Sequence, residues 1–393
     1  MQPRIAIVGA GIAGLCAALA FAQRGCRVDV AEFSNSLDEV GAGMQLSPNV
    51  TRLLGSLGTG RELSRVMVEP SNLSLLSGLD LRALNAIPVE RIAAARWNGP
   101  YGVVHRADLQ GLLADAAKMQ PAIRLFLGKR ITAETEDMLV DQLTELTGDP
   151  PDMVIGADGV WSTIRKFAPG ASPATFSGTI AWRGLLEPDI FADIADQDNV
   201  NAFLAPHTHL VTYPLGHRGH INAVAVTPGK IKDRDWDNVG DTSVLLDHFN
   251  GWSDALRNAL ASTSWRYWPL FEVRHTCFVA GRRTVLIGDA AHAMTPHAAQ
   301  GAAMAIEDAC ALAACYEAVG GNARDTISRF DALRTPRVAR VRKRSDFNKF
   351  AYHAGGFVRL ARNAVLAVRS GESLASDLDW LYGYDATDLS HPT

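Results

Sequence analysis

Two stretches of this sequence place chemistry-bearing residues close together. The first is TVLIGDAAHAMTPHAAQGAAMAIEDAC, residues 284–310, in which Asp289, His292 and His297 precede a run of small residues led by Gly301. An apolar run that closes on Gly288-Asp289 has the form of a buried strand delivering a carboxylate to the hydroxyls of an extended ligand. The bland alternative is a strand-end aspartate that caps the next turn. A helix opening at Gly301 offers bare backbone N–H groups and a positive dipole end to a ring that carries negative charge. Its alanines also suit close packing on a sheet, and both uses can hold together.

The second stretch is IVGAGIAG, with Gly9, Gly11 and Gly14 at the spacing Gly-x-Gly-x-x-Gly. That spacing supplies a tight turn, a close backbone approach to a pyrophosphate, a close helix contact, and helix N–H groups facing the phosphates. Glu32, in VDVAEF, follows Gly14 by 18 residues and ends a second apolar run, where a carboxylate takes ribose hydroxyls. Such an acid repels a ribose 2′-phosphate, so the tightly bound nucleotide is FAD or NAD and not NADP. If FAD, the helix after Gly301 would face the N1 and C2 carbonyl edge of the ring, where the reduced flavin is negative.

A third segment, HTHLVTYPL, has alternating character. Read as a strand, it turns His209, Val211 and Tyr213 to one face, because side chains alternate with period two. They line a pocket in one reading and decorate a sheet or form a satisfied core pair in the other.

These residues need elements to hold them. A strand over 5–8, a helix from 14 to about 23 and a strand over 27–31 make a βαβ opening. RADLQGLLADAAK sets Leu109, Leu112, Leu113 and Ala116 at helical spacing, and 179–226 carries several short β-type runs broken by Gly, Pro and Asn. MVIGADG and TVLIGDA read as buried strands of a parallel sheet, and the chain from Gly301 onward is chiefly helical.

At 393 residues the chain exceeds the roughly 250 to 300 that one hydrophobic core supports, so interlocked domains are expected. A net charge of -4 and a pI near 6.3 give no pull toward nucleic acid or anionic lipid. Five cysteines without a Cys-x-x-Cys pair argue against a disulfide framework or a structural zinc site, and no metal is expected. No apolar run approaches the roughly 18 to 20 residues of a membrane helix, and the N-terminus lacks a cleavage region. The expectation is a cytoplasmic enzyme acting on a small molecule.

The motifs IVGAGIAG with AEF, HRADLQ, DMVIGADGVWSTIR and GDAAHAMTPHAAQGAAMAIEDA together resemble the single-component FAD-dependent aromatic hydroxylases. The likeness is greatest to the salicylate hydroxylase and 6-hydroxynicotinate 3-monooxygenase branch, which the late LDWLYGYD also matches. It runs from near residue 5 to near residue 384. It implies FAD at Gly11, Gly14, Glu32 and Asp289, a flavin contact at Arg106, and a joint FAD and nicotinamide role for Asp158-Gly159 with Ser162 and Arg165. No second Gly-x-Gly-x-x-Gly is present, and the resemblance implies NADH or NADPH as a transient co-substrate. It further implies O2 as oxidant through a flavin C4a-hydroperoxide, His209 and Tyr213 acting on substrate, and His297 beside it.

One position departs from the branch. The hydroxynicotinate enzymes carry histidine in GAGxHxxPN, whereas GAGMQLSPN has Gln45 here, and salicylate-like members accept Gln. A neutral amide cannot serve as a base, so a hydroxylated aromatic carboxylate other than 6-hydroxynicotinate is expected. Arg183 in IAWRGLL touches flavin or substrate, or sits in a buried ion pair.

The implied fold is α/β, a Rossmann-like FAD-binding domain (1–70, 98–172, 268–330) interleaved with a mostly antiparallel β-sheet substrate domain (71–97, 173–267). A C-terminal helical segment (331–393) follows. His292 reads as structural or flavin-adjacent, and the basic run 334–344, RTPRVARVRKR, as a solvated helix face with NAD(P)H phosphate attraction as the lesser option. GGFVRLARNAVLAVRS reads as an amphipathic helix packed on the body or on a dimer partner, so a monomer or homodimer is expected. The functional alternative is an FAD oxidase, or a monooxygenase of a non-aromatic substrate.

Overall fold

The computed structural model describes residues 2–37, 43–216, 219–230 and 238–390. Its first layer is a five-stranded parallel sheet in the order Thr284–Leu286, Met153–Gly156, Arg4–Val8, Arg27–Ala31, Ile123–Phe126. Strand Arg4–Val8 is central: Ile7 pairs with Val30 on one side and Ile155 on the other. Helices cover the faces of such a sheet, which is why these strands are apolar throughout rather than alternating.

Parallel strands end at a common edge. Gly9, Glu32, Ala157 and Gly288 each follow the last residues of their strands there, so four of the motifs converge without further design. The first helix runs Ile12–Ala22 with Gly11 as an extended N-cap, starting two residues before Gly14. The glycine turn therefore occupies 9–11, and Gly14 lies inside the helix.

An eight-stranded sheet forms the second layer, in the order Asn238–Gly240, Trp265–Val273, Ala174–Leu186, His220–Pro228, Thr208–Leu215, Val200–Ala205, Leu73–Ser77, Ala83–Ile87. It is antiparallel except where Val200–Ala205 pairs in parallel with Leu73–Ser77. Leu210, Phe203, Ala223 and Ala225 face one way and pack with Phe249, Trp252, Leu256 and Leu260 of the segment carrying helices Thr242–His248 and Asp254–Ala261. The residues between them face the parallel layer. A short antiparallel pair, Gly43–Leu46 with Gly102–His105, bridges the two layers; residues 41 and 42 of the GAGMQLSPN segment lie outside the described residues.

The C-terminal part is helical, as its sequence reads. Helix Gly301–Ala318 is buried along nearly its whole length, and helix Ala323–Tyr352 crosses it. Here the basic run departs from expectation: Arg334 and Arg337 are among the most buried side chains of the molecule and not a solvated face. Arg334 donates to Glu307 at 2.7 Å and Asp308 at 2.8 Å, and Arg337 donates to Glu307 at 2.8 and 3.1 Å. The physical reason lies in helix Gly301–Ala318, whose two buried acids, Glu307 and Asp308, fall among buried apolar residues and require cationic partners. The later helix Gly356–Val368 has no buried residue, and Phe357 and Val368 are 91% and 84% exposed.

Candidate active site

At the common edge of the parallel sheet, Gly9 adopts φ +105°, and a Cβ there would sit 2.4 Å from the Ala157 carbonyl oxygen. A Cβ on Gly14 would sit 1.9 Å from the Gly9 oxygen, so the helix can approach the turn only because this residue is glycine. Gly11 has open space where its Cβ would point and lines a cleft of 320 Å³. Arg106, Asp289 and Gly301 line that same cleft, as do Ala302 and Ala305 from the first turns of the buried helix. Pro296 and Met294 close it from the loop between Asp289 and Gly301.

Glu32 stands at the rim of the glycine turn rather than in the cleft wall. Its carboxylate accepts the Ala10 N–H at 2.7 Å and the Ser34 N–H at 2.8 Å, which fixes the turn and leaves each oxygen a lone pair for a hydroxyl. Asp158 accepts the Thr163 N–H at 2.7 Å through Oδ2, while its Oδ1 is buried without a hydrogen-bond partner. Ser162 accepts the Arg165 N–H, and the Arg165 guanidinium donates to the carbonyls of Asp289 and Ala290. This motif thus braces the strand end that carries Asp289. A glycine lining that opens onto space, a carboxylate at each of two neighbouring strand ends and the start of a small-residue helix together fit an extended dinucleotide such as FAD.

The substrate side is built by the central strand of the second sheet. His209, Val211 and Tyr213 all line the cleft, the period-two alternation of strand Thr208–Leu215 made visible, while Leu210 faces the opposite core. Arg183 lines it from strand Ala174–Leu186, two strands away in the same sheet, its guanidinium stacked 4.1 Å from the Trp268 ring centroid. Tyr213 packs so closely on Gly43 that a Cβ there would meet its ring at 2.4 Å. Gln45 accepts the Tyr101 hydroxyl and faces the cleft from the bridging strand pair.

His297 is buried and joins His209, with ring centroids 5.4 Å apart. His353 completes the group: His209 Nδ1 and His353 Nε2 share a hydrogen bond of 2.8 Å. The ligand-capable nitrogens of the three rings lie within 4.8 Å of one another, and neither ring nitrogen of His297 has a partner. Burial pushes all three down in pKa, helped by His297 and His353 beside His209, by His353 and Lys349 beside His297, and by Lys349 and His207 beside His353: His209 falls well below 6.5, His297 to about 3 and His353 to about 4. They are neutral imidazoles at pH 7. Burial holds the Tyr213 phenol above its ordinary value, so it stays a hydrogen-bond donor, with Arg183 opposing weakly.

His353 and Arg344 were not evident from sequence. Both come from helix Ala323–Tyr352 or its end, and Arg344 has a buried Nε without a hydrogen-bond partner at a cavity that His209 and His297 also line. Nothing local in RKRSDFNKFAYHAGG marks either residue. His292, by contrast, is scaffold: its Nε2 lies 2.6 Å from Asp308 Oδ2, with both residues buried.

Comparison with known proteins places this arrangement. A family model described as FAD binding domain matches residues 3–345. A 3-hydroxybenzoate 6-hydroxylase of Klebsiella oxytoca is 30% identical across 97% of this chain and 96% of that protein. A 3-amino-4-hydroxybenzoate 2-monooxygenase of Streptomyces cremeus is 33% identical across 98% of both. A 6-hydroxynicotinate 3-monooxygenase of Bordetella bronchiseptica is 30% identical across 98% and 96%. A solved salicylate hydroxylase substrate complex superposes with a TM-score of 0.80 at 25% identity, covering 100% of this chain and 98% of that one.

Proposed function

We propose, for a chain that belongs to the FAD binding domain family, that its substrate is a phenolic or hydroxy-heteroaromatic ring carrying a carboxylate beside its hydroxyl. The chain is an FAD-dependent monooxygenase of aromatic rings, with NADH or NADPH as reductant. Bound FAD, once reduced, supplies the electrons that activate O2, so that one oxygen atom enters the ring and the other leaves as water.

The observation that carries the ring reading is the buried imidazole group beside the glycine cleft, two of whose nitrogens, both on His297, have no partner. A planar hydroxylated ring satisfies them. With Nδ1 engaged by His353, His209 keeps Nε2 for the ring hydroxyl. A single imidazole with so low a pKa is a weak base, but a hydrogen-bonded pair shares the proton it accepts. Tyr213 donates to the same ring, and His297 orients it. Arg344, with its unpartnered Nε, meets the carboxylate, and Gln45 with Tyr101 borders the ring.

On the opposite side, Gly9, Gly11, Gly14 and Glu32 hold the adenosine and pyrophosphate part of FAD. Asp289 takes the ribityl hydroxyls, Arg106 contacts the ring system, Asp158 steadies the strand end, and Gly301 presents helix N–H groups. Arg183 lies where ring system and substrate meet. Pro296, Val211 and Met44 keep water from the space between. In domain terms, 1–70, 98–172 and 268–330 serve FAD, 71–97 and 173–267 serve the substrate, and 331–393 closes the site. Among the described residues no helix is long and apolar enough to cross a membrane; we place the enzyme in the cytoplasm as a monomer or homodimer.

The test is oxidation of NADH and NADPH by FAD-loaded protein, alone and with a panel of hydroxylated aromatic acids, with hydrogen peroxide quantified. Strong stimulation by an acid with little peroxide supports the reading. No stimulation, or release of every electron pair as peroxide, favours an oxidase or a non-aromatic substrate instead.

A further inference from the structure

The histidine group opens on two sides. Besides the glycine cleft, it borders a cavity of 470 Å³, and Gln45, His209, Val211, Pro296 and Ala299 line both spaces. A hydroxybenzoate has about ten non-hydrogen atoms, whereas cavities of roughly 300 to 1,000 Å³ accommodate drug-sized ligands, so one ring fills only a part of this space.

The remainder is apolar. One wall is the paired strands Leu73–Ser77 and Val200–Ala205 of the second sheet, with Leu73, Leu75, Ala202 and Leu204, and the other is helix Gly356–Val368, with Val358 and Val365. That helix is tied to the sheet near its C-terminal end, where Leu366 packs against Leu84, Ala202 and Leu204. Asn85 Nδ2 donates to the carbonyls of Leu366 at 2.6 Å and Arg369 at 2.8 Å, and Arg362 donates to the Ala351 carbonyl at 2.8 Å. Between these ties no residue of the helix is buried, and Val358 and Val365 keep 46% and 55% of their surface exposed. Two of the charges at its edge are already engaged: Arg369 with Asp377 and Ser373, and Arg362 with backbone carbonyls and Asn363. An apolar surface continuous with a ring site, and with its charges turned to partners, selects an apolar ligand group.

We propose that the ring substrate carries an apolar substituent, an alkyl chain or a second ring, that lies beneath helix Gly356–Val368 while the hydroxyl meets His209. The inference rests on the aromatic-hydroxylase reading and narrows its substrate class. It follows that the hydroxyl and the carboxylate set the ring's orientation, and the substituent supplies most of the binding energy.

The experiment is a binding series with the FAD-loaded protein: 2-hydroxybenzoates carrying hydrogen, methyl, propyl or pentyl at each open ring position, with affinity read from the perturbed flavin absorbance. The expected result is a gain of about fourfold in affinity per methylene at one ring position, the transfer free energy of a buried CH2. Ala361→Trp, which fills the arm from an exposed helix position, and Val365→Asp, which charges it, should each flatten that gain, with thermal melting confirming that both variants fold. Equal or weaker binding of the pentyl compounds at every position overturns the proposal, as does a chain-length gain that survives both variants. If the unsubstituted ring binds and is hydroxylated while chain length has no effect, this inference alone falls. If no member of the series binds, the aromatic reading falls with it.

Discussion

Two clusters of buried polar side chains lie on opposite sides of the loop between Asp289 and Gly301, and they are built on opposite rules. In the first, Glu307 and Asp308 are enclosed by Arg334, Arg337, His292, Asn49 and the Gly288 N–H, with contacts of 2.6 to 3.1 Å. Burial alone would raise both acids, but the two arginines beside Glu307, and His292 and Arg334 beside Asp308, outweigh it and hold them ionised. In the second, His209, His297 and His353 have one hydrogen bond among them and lie below their ordinary pKa with two imidazole nitrogens unpartnered. A cluster whose buried acids have every oxygen paired is scaffold, and a cluster of unpartnered imidazole nitrogens beside a cleft is a place for a ligand. The first cluster also holds the second in place, since Gly288 and His292 begin the loop that ends in His297 and Gly301.

The sharpest way to break this contrast is to unbalance the saturated cluster. Arg334→Met removes one cation from two buried carboxylates, leaving a net uncompensated charge in the core, and is expected to cost about 3 to 5 kcal/mol of stability, read by denaturant unfolding. A loss under about 1 kcal/mol would mean that the cluster is not a scaffold. In the unsaturated cluster the same kind of change should move catalysis instead. His209→Ala is expected to lower ring hydroxylation by about a hundredfold or more with little change in unfolding, measured as substrate-stimulated NAD(P)H oxidation and product yield.

Arg344 connects the two behaviours, because it belongs to the arginine-rich helix but faces the cavity. Arg344→Met should weaken binding of carboxylated rings by roughly tenfold or more, the worth of a hydrogen bond to a charged group, and leave plain phenols unaffected. Equal losses for both ligand types would remove it from carboxylate recognition.

A pH series separates the clusters further. The histidines are neutral in the fold and charge in the unfolded chain below about pH 6.5. The unfolded chain then binds more protons, so their contribution to stability is complete above pH 6.5 and is lost as pH falls toward the folded values of about 4 for His353 and about 3 for His297. His297→Asn should therefore lose less stability than the parent between pH 7 and pH 5, and parallel curves would refute the assignment. The smallest effect belongs to Gln45→His, which should shift the preference among ring acids by a few-fold without abolishing turnover.

What could be seen in the sequence follows from how locally each feature is encoded. The glycine turn, Glu32, Asp158 and Asp289 were legible because each is a strand end followed by a fixed turn, and parallel strands bring such ends to one edge. His209 and Tyr213 were legible through strand alternation. His353 was not, because its partner His209 sits 144 residues away on another element, and Arg344 was not, because only the fold turns it from a charge run into the cavity. The buried arginines were misread for a related reason. A charge run on a helix looks solvated until its counter-charges are placed, and the signal available was Glu307-Asp308, two adjacent acids in the apolar stretch 302–316 of the preceding helix.

The central claim is that oxygen from O2 enters a ring held by the unsaturated cluster. The direct measurement is mass spectrometry of the product formed under isotopically labelled O2 from whichever hydroxylated aromatic acid most stimulates NAD(P)H oxidation. The account predicts one labelled oxygen in the new hydroxyl and unlabelled product when the label is in water. A product without label from O2, or complete conversion of O2 to peroxide, would contradict it.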